Sequence, residues 1–232
     1  MYAREIDGRD FTFGVSGKLI RNVLVMYDRQ TNSLWSQLLG EAVAGEMAGT
    51  KLEFVSSWMT TWADWKAQYP ETLALQKGYY GSRDPYSRGY YGSPDAGVIG
   101  ETFSDGRLYT KEFVVGVELG EVAIAYPFSA LNSQPVLNDV VADVPLVVVF
   151  AEGDASGLVY GRTLADGRVL TFRAGSAPRT LTDDETGSTW EATSGRATAG
   201  SLAGTHLTPL KSTTIFWFGW KDFHPETLLY GQ

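Results

Sequence analysis

The sequence contains no cysteine. That single absence removes disulfides, thiolate nucleophiles, iron–sulfur clusters and cysteine-type zinc sites, while leaving the compartment open. Histidine is nearly as scarce, with only His206 and His224 in 232 residues. Neither has a second His or a carboxylate at the i, i+4 spacing that places two metal ligands on one helix face. No metal and no cofactor is therefore expected, and His224 is expected instead to bond the last carbonyls of a helix, where the dipole favours a cation. Basic residues are outnumbered, 19 Lys and Arg against 27 Asp and Glu, for a net charge of −8. Such a field repels phosphate backbones, and no Lys/Arg cluster overrides it, so nucleic acid is excluded as a partner. No apolar run approaches the ~18 residues that would mark a transmembrane segment. The opening, MYAREIDGRDFTF, reads as folded structure rather than as a charged end followed by an apolar stretch, so no signal peptide is expected in it.

Catalytic signatures are also missing. No G-x-S-x-G elbow is present, and without a partnered histidine a serine triad is hard to assemble. Gly14-x-x-Gly17-Lys18 resembles a phosphate loop only superficially: the spacing is short, and Leu19 stands where a Ser/Thr would reach Mg²⁺. It reads as a loop. The acidic residues offer many carboxylate pairs, but spacing does not say which two share a site. Whether the chain is an enzyme stays open.

What the chain does have is a sentence it repeats. GEAVAGEMAGTKL, residues 40–52, returns as GRATAGSLAGTHL, residues 195–207. Between residues 28–72 and 183–227 the two stretches align without a gap at a constant offset of 155, with 19 of 45 positions identical. This pattern reads as duplication, an architecture built by pairing one unit. Each copy is preceded by a hairpin signal, Tyr2 to Phe13 around Asp7-Gly8 and Tyr160 to Phe172 around Asp166-Gly167, with Arg4 matching Arg162 and Arg9 matching Arg168. The small residues of the repeat suit a packing seam where backbones approach closely, in preference to a glycine-lined ligand cradle. Asp183, Asp184 and Glu185 align with Asp28, Arg29 and Gln30 and are expected to form a solvated turn rather than a catalytic or Ca²⁺-binding cluster.

One helix is expected in each unit. In the first, Thr61 and Asp64 form the cap, Trp62, Trp65 and Tyr69 share a face, and Pro70 ends it. In the second, Trp217, Trp220 and His224 stand in the same places before Pro225. Paired tryptophans on one face predict a lid over a sheet. The fold class is thus mainly β with a few short helices, two homologous β-rich units packing with pseudo-twofold symmetry. The division is 1–72 for the first unit, 73–110 for a Tyr/Gly-rich connecting loop and 111–232 for the second unit. The strand pattern of 111–159 that precedes the second hairpin has no counterpart before the first. The first unit accordingly reads as N-terminally truncated, lacking its opening strands, unless it is simply shorter.

FGVSGKL, LVMYDRQTNSLWSQLLGEAVAG, MAGTKLE, Arg83-Asp84-Pro85-Tyr86, AYPFSAL, Asn138-Asp139, DDETGSTW and FWFGWKDFHPET together resemble the prokaryotic family known as domain of unknown function 3179, across essentially the whole chain. The resemblance implies members that are often extracytoplasmic or membrane-anchored and no established reaction. It also implies a Cys-Pro-x-Cys-like motif upstream of the first hairpin, and that chemistry cannot be carried onto a chain without cysteine. A residue required by the shared fold should occur in both copies, whereas a single asymmetric site should fall on unpaired segments. This points to Arg83, Asp84 and Tyr86, rimmed by Tyr79, Tyr80, Tyr90 and Tyr91, and to Asn138 and Asp139. These are expected either to bind a polar ligand or to brace a loop. The function expected is a non-catalytic binding or interaction module for an unidentified small molecule or protein. The alternative is a metal- or thiol-dependent redox factor with key residues upstream of Met1.

Overall fold

Asp7 and Gly8 both take positive φ, 50° and 73°, and turn strand Glu5–Ile6 back onto strand Arg9–Asp10. Turns of this hand match the twist of the strands they join. Two further turns share the geometry without glycine, Arg21-Asn22 at 48° and 64° and Ala142-Asp143 at 49° and 62°. The computed structural model describes residues 1–74, 89–150, 155 and 157–232. Over these it is mainly β, 40% strand against 9% helix.

Four four-stranded sheets carry the architecture. Phe13–Ile20, Val23–Asp28, Leu34–Ser36 and Glu41–Ala44 form an antiparallel meander. Phe172–Ala174, Thr180–Asp183, Thr189–Glu191 and Arg196–Ala199 form another in the same order. A third sheet joins Thr208–Pro209, Gly157–Gly161, Val144–Phe150 and Val136–Val141. The fourth joins Ser212–Phe216, Phe113–Leu119, Val122–Pro127 and Leu228–Leu229, the last strand parallel. The expected loop at residues 14–17 is corrected: it is part of strand Phe13–Ile20. The register against Val23–Asp28 slips between Val15 and Lys18, and Gly17 takes φ 74° there. Ser16 Oγ donates to the Val25 carbonyl at 2.6 Å and accepts from the Lys18 amide at 3.1 Å. The glycine marks a bulge in a strand, not an exit from it.

The turns before the two tryptophans have matching interiors. Asp28 accepts from Trp35 Nε1 at 2.9 Å and from the Thr31 amide at 2.5 Å, and Asp183 accepts from Trp190 Nε1 at 2.8 Å and from the Thr186 amide at 2.6 Å. Both carboxylates are fully buried. The expected solvated turn at Asp183 is therefore corrected: Asp184 and Glu185 face outward, but Asp183 is the turn's internal anchor. The seam reading fits the packing, because a Cβ on Gly45 or Gly200 would stand 2.8 and 2.7 Å from the Cα of Ser33 and Ser188.

The helices are α1 (Trp62–Gln68), α2 (Phe128–Ser133) and α3 (Trp217–Phe223). Thr61 caps α1 by accepting the Asp64 amide at 3.2 Å. Helix α3 lies on the fourth sheet with Trp217 and Trp220 buried, and a Cβ on Gly116 would meet the Trp220 ring at 2.3 Å. The far side of α3 is covered by the connecting segment. Thr102 and Phe103 amides donate to the Asp222 carboxylate at 2.8 and 2.9 Å, and Trp217 Nε1 donates to the Asp105 carbonyl at 3.0 Å.

Candidate functional site

Helices α1 and α3 have the same local build. Trp65 Nε1 donates to Thr72 Oγ1 at 2.9 Å, and Trp220 Nε1 donates to Thr227 Oγ1 at 2.9 Å. Trp65 lies 4.4 Å from the Tyr69 ring, and Trp220 lies 4.1 Å from the His224 ring. Their surroundings differ completely. Helix α3 buries six of its seven residues, Trp217 to Asp222, whereas α1 buries none. Trp62 is 52% exposed where Trp217 is 0% exposed. The expected lid is thus real for α3 and corrected for α1, none of whose residues is buried; the start of α1 is tied instead to Arg179, which donates to Thr60 Oγ1 at 2.9 Å and to Asp64 at 3.3 Å. Periodicity says which helix face is apolar, but not whether anything covers it.

Beside this face opens a cleft of about 690 Å³, lined by Phe13, Met26, Leu38, Phe54, Trp58 and Met59 among others. A second cleft is smaller, about 390 Å³, and strand residues Val136, Val149 and Leu158 form one wall. Tyr2 reaches over the first cleft to donate to the Leu38 carbonyl at 2.7 Å, as Tyr160 donates to the Thr193 carbonyl at 3.0 Å. Burial, followed by the Glu118 charge, pushes the Tyr2 phenol up to about 12, so it is protonated and donating at neutral pH.

The paired arginines separate in the same way. Arg162 is buried, and its guanidinium donates to the carbonyls of Leu146 at 2.9 Å, Leu170 at 2.7 Å and Asp139 at 3.2 Å. Arg4 is exposed and, among the described residues, its guanidinium pairs with Asp10 at 3.2 Å. Removing Arg162 leaves three carbonyls short of a donor. Arg162→Ala is expected to cost about 2 kcal/mol in urea denaturation, while Arg4→Ala should stay within about 0.5 kcal/mol.

Of the residues singled out by sequence, Arg83, Asp84 and Tyr86 lie outside the described residues, as do Tyr79 and Tyr80. Tyr90 and Tyr91 pack on Phe216, with ring centroids 6.3 and 6.1 Å away. Asn138 pairs its amide with the Phe172 main chain, donating to the carbonyl at 2.7 Å and accepting the amide at 2.9 Å. It thereby fastens strand Val136–Val141 to strand Phe172–Ala174. Asp139 accepts from Tyr126 Oη at 2.9 Å, and burial with that carboxylate beside it pushes the Tyr126 phenol far up. Asn138 and Asp139 are neighbours in space, but these side-chain bonds are to the protein itself.

Sequence reasoning missed a polar group beside α3. Glu118 lies 3.1 Å from His224 Nε2 and 3.0 Å from Lys211 Nζ, and Lys211 also donates to the Leu39 carbonyl at 3.1 Å. The expectation that the His224 side chain bonds the helix-end carbonyls is corrected: the ring faces Glu118, and its own backbone amide serves the Trp220 carbonyl at 3.0 Å. Burial pushes the Glu118 carboxyl up, but the bonds from His224 and Lys211 outweigh it and hold the group below the usual range. Only asymmetry could have flagged this cluster, since Tyr69 and Ser56 align with His224 and Lys211 in the stretch 28–72. Among the described residues no group of three or more His, Asp or Glu stands close enough to hold a metal ion. Nor is any helix among them long and apolar enough to cross a membrane.

A family model described as "Protein of unknown function (DUF3179)" matches residues 1–227 of the 232. The chain belongs to this family. No curated protein and no solved structure matches the chain. Family membership therefore establishes kinship without a reaction, and the DUF3179 chain has to be read from its own geometry.

Proposed function

We propose that this DUF3179 chain is a non-catalytic binding module whose contact surface is the aromatic face of α1 together with the adjoining cleft. The observation that carries the reading is the contrast between two helices with one local build, one with six of its seven residues buried and one with none. Large aromatic side chains left in water beside an apolar cleft are the feature by which contact surfaces stand apart from ordinary exposed residues. The two aligned stretches are read here as a duplicated unit about a pseudo-twofold axis. The paired Asp–Trp and Trp–Thr bonds support this, as does the exchange of lining residues, Trp58 entering the second unit's cleft and Thr213 entering the first. Arg83, Asp84 and Tyr86 remain part of the proposed surface on sequence grounds, since they follow α1 in the chain. The test is a photo-crosslinking residue at position 62. It should capture another protein in cells, and Tyr69→Glu should abolish that capture without moving the melting temperature. Crosslinks confined to the chain itself would end the proposal.

A second reading, an enzyme, has one observation in its favour: the Glu118–His224 pair with Lys211 alongside. A carboxylate that orients an imidazole is a general-base arrangement. His224→Gln leaves the stacking on Trp220 largely filled, so a hydrolytic activity lost in that variant at unchanged stability would move the assignment to this cluster.

A further inference from the structure

The smaller cleft, of about 390 Å³, is lined by Trp58, Val136, Val149, Leu158 and Leu181 together with Arg179. Val149, Leu158 and Leu181 belong to the buried core around Trp190, and Trp58 and Val136 pack against that core. The apolar lining is therefore continuous with packed interior. Its hydroxyl and carbonyl groups are engaged in the protein. Thr180 Oγ1 donates to the Ala177 carbonyl at 2.7 Å and accepts the Ala177 amide at 3.3 Å, and the Thr193 carbonyl accepts from Tyr160 at 3.0 Å. Among the described residues Arg179 is the one ionised side chain lining the cleft.

Arg179 is held there by its backbone. Its φ is 57°, in the left-handed region where residues other than glycine are uncommon. Its carbonyl accepts the Ala192 amide at 2.9 Å, which fixes the loop between strands Phe172–Ala174 and Thr180–Asp183. The guanidinium lies over Trp58, with Cζ 4.6 Å from the ring centroid. Nη2 donates to Thr60 Oγ1 at 2.9 Å and to Asp64 Oδ2 at 3.3 Å. The Arg179 side chain is 17% exposed, against 48% for Asp64.

We infer that this cleft binds a small organic acid. Its aromatic or branched aliphatic body would lie against Trp58, Val136 and Leu158, and its single carboxylate would take the place of Asp64 on Arg179. A guanidinium presents its N–H donors as a planar fork that matches a carboxylate. One already seated on an aromatic ring has little freedom left to lose on binding. The volume stands at the small end of the ~300–1,000 Å³ of ligand sites, which suits a body of one ring. The net charge of −8 opposes a doubly charged phosphate more than a singly charged carboxylate. Asp64 is a weak competitor, because an exposed ion pair with a long contact contributes little. This site is separate from the α1 face proposed above and does not rest on the binding-module reading.

The probe is para-fluorophenylacetate, titrated against the intact chain and followed by fluorine NMR. Saturable binding is expected. Para-fluorophenethyl alcohol keeps the ring without the carboxylate, and acetate keeps the carboxylate without the ring. Each should bind at least about tenfold more weakly. Arg179→Gln should weaken the acid about tenfold, the size of one charge-assisted hydrogen bond. Asp64→Asn should tighten it about threefold, because the competing carboxylate is gone. If Arg179→Gln does not fold, Asp64→Asn decides alone, since Asp64 is exposed and its loss leaves the cleft intact. The inference is overturned if the acid does not saturate, or if the alcohol binds as tightly as the acid. It is overturned equally if Arg179→Gln folds and binds the acid as the parent does, or if Asp64→Asn leaves the affinity unchanged.

Discussion

Asp183→Ala is expected to destabilise the protein by about 4 kcal/mol at pH 7, read from urea denaturation, because it strips several donors at once from a buried site. The carboxylate is 0% exposed. It accepts from Trp190 Nε1 at 2.8 Å, the Thr186 amide at 2.6 Å and Thr186 Oγ1 at 2.7 Å. Alanine orphans the indole N–H beneath a sheet, where water does not replace the lost acceptor. Asp28→Ala should cost a similar amount, since Trp35 and Thr31 make the same bonds there. The two sites share no partner, so their losses should add, and the double variant should approach the ~5–15 kcal/mol total of an ordinary domain. A cost under about 1 kcal/mol at either position would show that these turns hold themselves without the carboxylate.

The same carboxylates set an acid limit. Burial raises both groups, but the bonds from tryptophan and threonine outweigh it and hold Asp28 and Asp183 below the ordinary carboxylate value. A group depressed in the folded state binds its proton more readily when unfolded. Its stabilisation is therefore complete above the unfolded value of about 4 and is lost as pH falls through the folded values below that. Urea midpoints should be flat near neutrality with respect to these two groups and fall steeply below pH ~4. Asp28→Asn with Asp183→Asn should flatten that acid limb, and an unchanged limb would assign it to other carboxylates.

How much of this was legible in the sequence depends on where each signal resides. Asp7-Gly8 announced its turn because glycine tolerates positive φ, whereas Arg21-Asn22 and Ala142-Asp143 adopt the same geometry with no glycine to advertise it. The Thr61 cap and the Trp–x–x–Trp spacing gave α1 and α3, since caps and helical faces are local. The burial of Asp183 was hidden: its partner Trp190 lies seven positions on, a spacing that means nothing until the strand turns back. Glu118 and His224 meet only because Phe113–Leu119 pairs with Ser212–Phe216, and that pairing is long-range. The sequence pairs Arg4 with Arg162 and says nothing of their unequal fates. Their hydrogen bonds could be read only from coordinates. The candidate residues Arg83, Asp84 and Tyr86 lie outside the described residues.

The sharpest contrast between α1 and α3 lies in the two tryptophans. Trp220→Ala is expected to cost about 4 kcal/mol, within the range for deleting a buried indole. The ring is 1% exposed, sits over the bare Cα of Gly116, and closes a core with Val114, Ala125, Trp217 and Leu229. Trp65→Ala, which deletes an identical side chain bonded to an identical threonine, should cost about 2 kcal/mol, because the ring is only partly buried, against Trp58 and Tyr69. Gly116→Val should reproduce the Trp220→Ala loss, since a branched side chain there collides with the indole and no flexible end can yield. Calorimetry or urea titration of the three variants decides the matter. If Trp65→Ala proved as costly as Trp220→Ala, α1 would be covered in solution, and the face proposed for binding would be interior to the fold. If the costs divide as expected, α1 keeps an aromatic face that stabilises less in the isolated chain than the equivalent face of α3. That is the thermodynamic mark of a surface whose apolar contacts are completed by a partner.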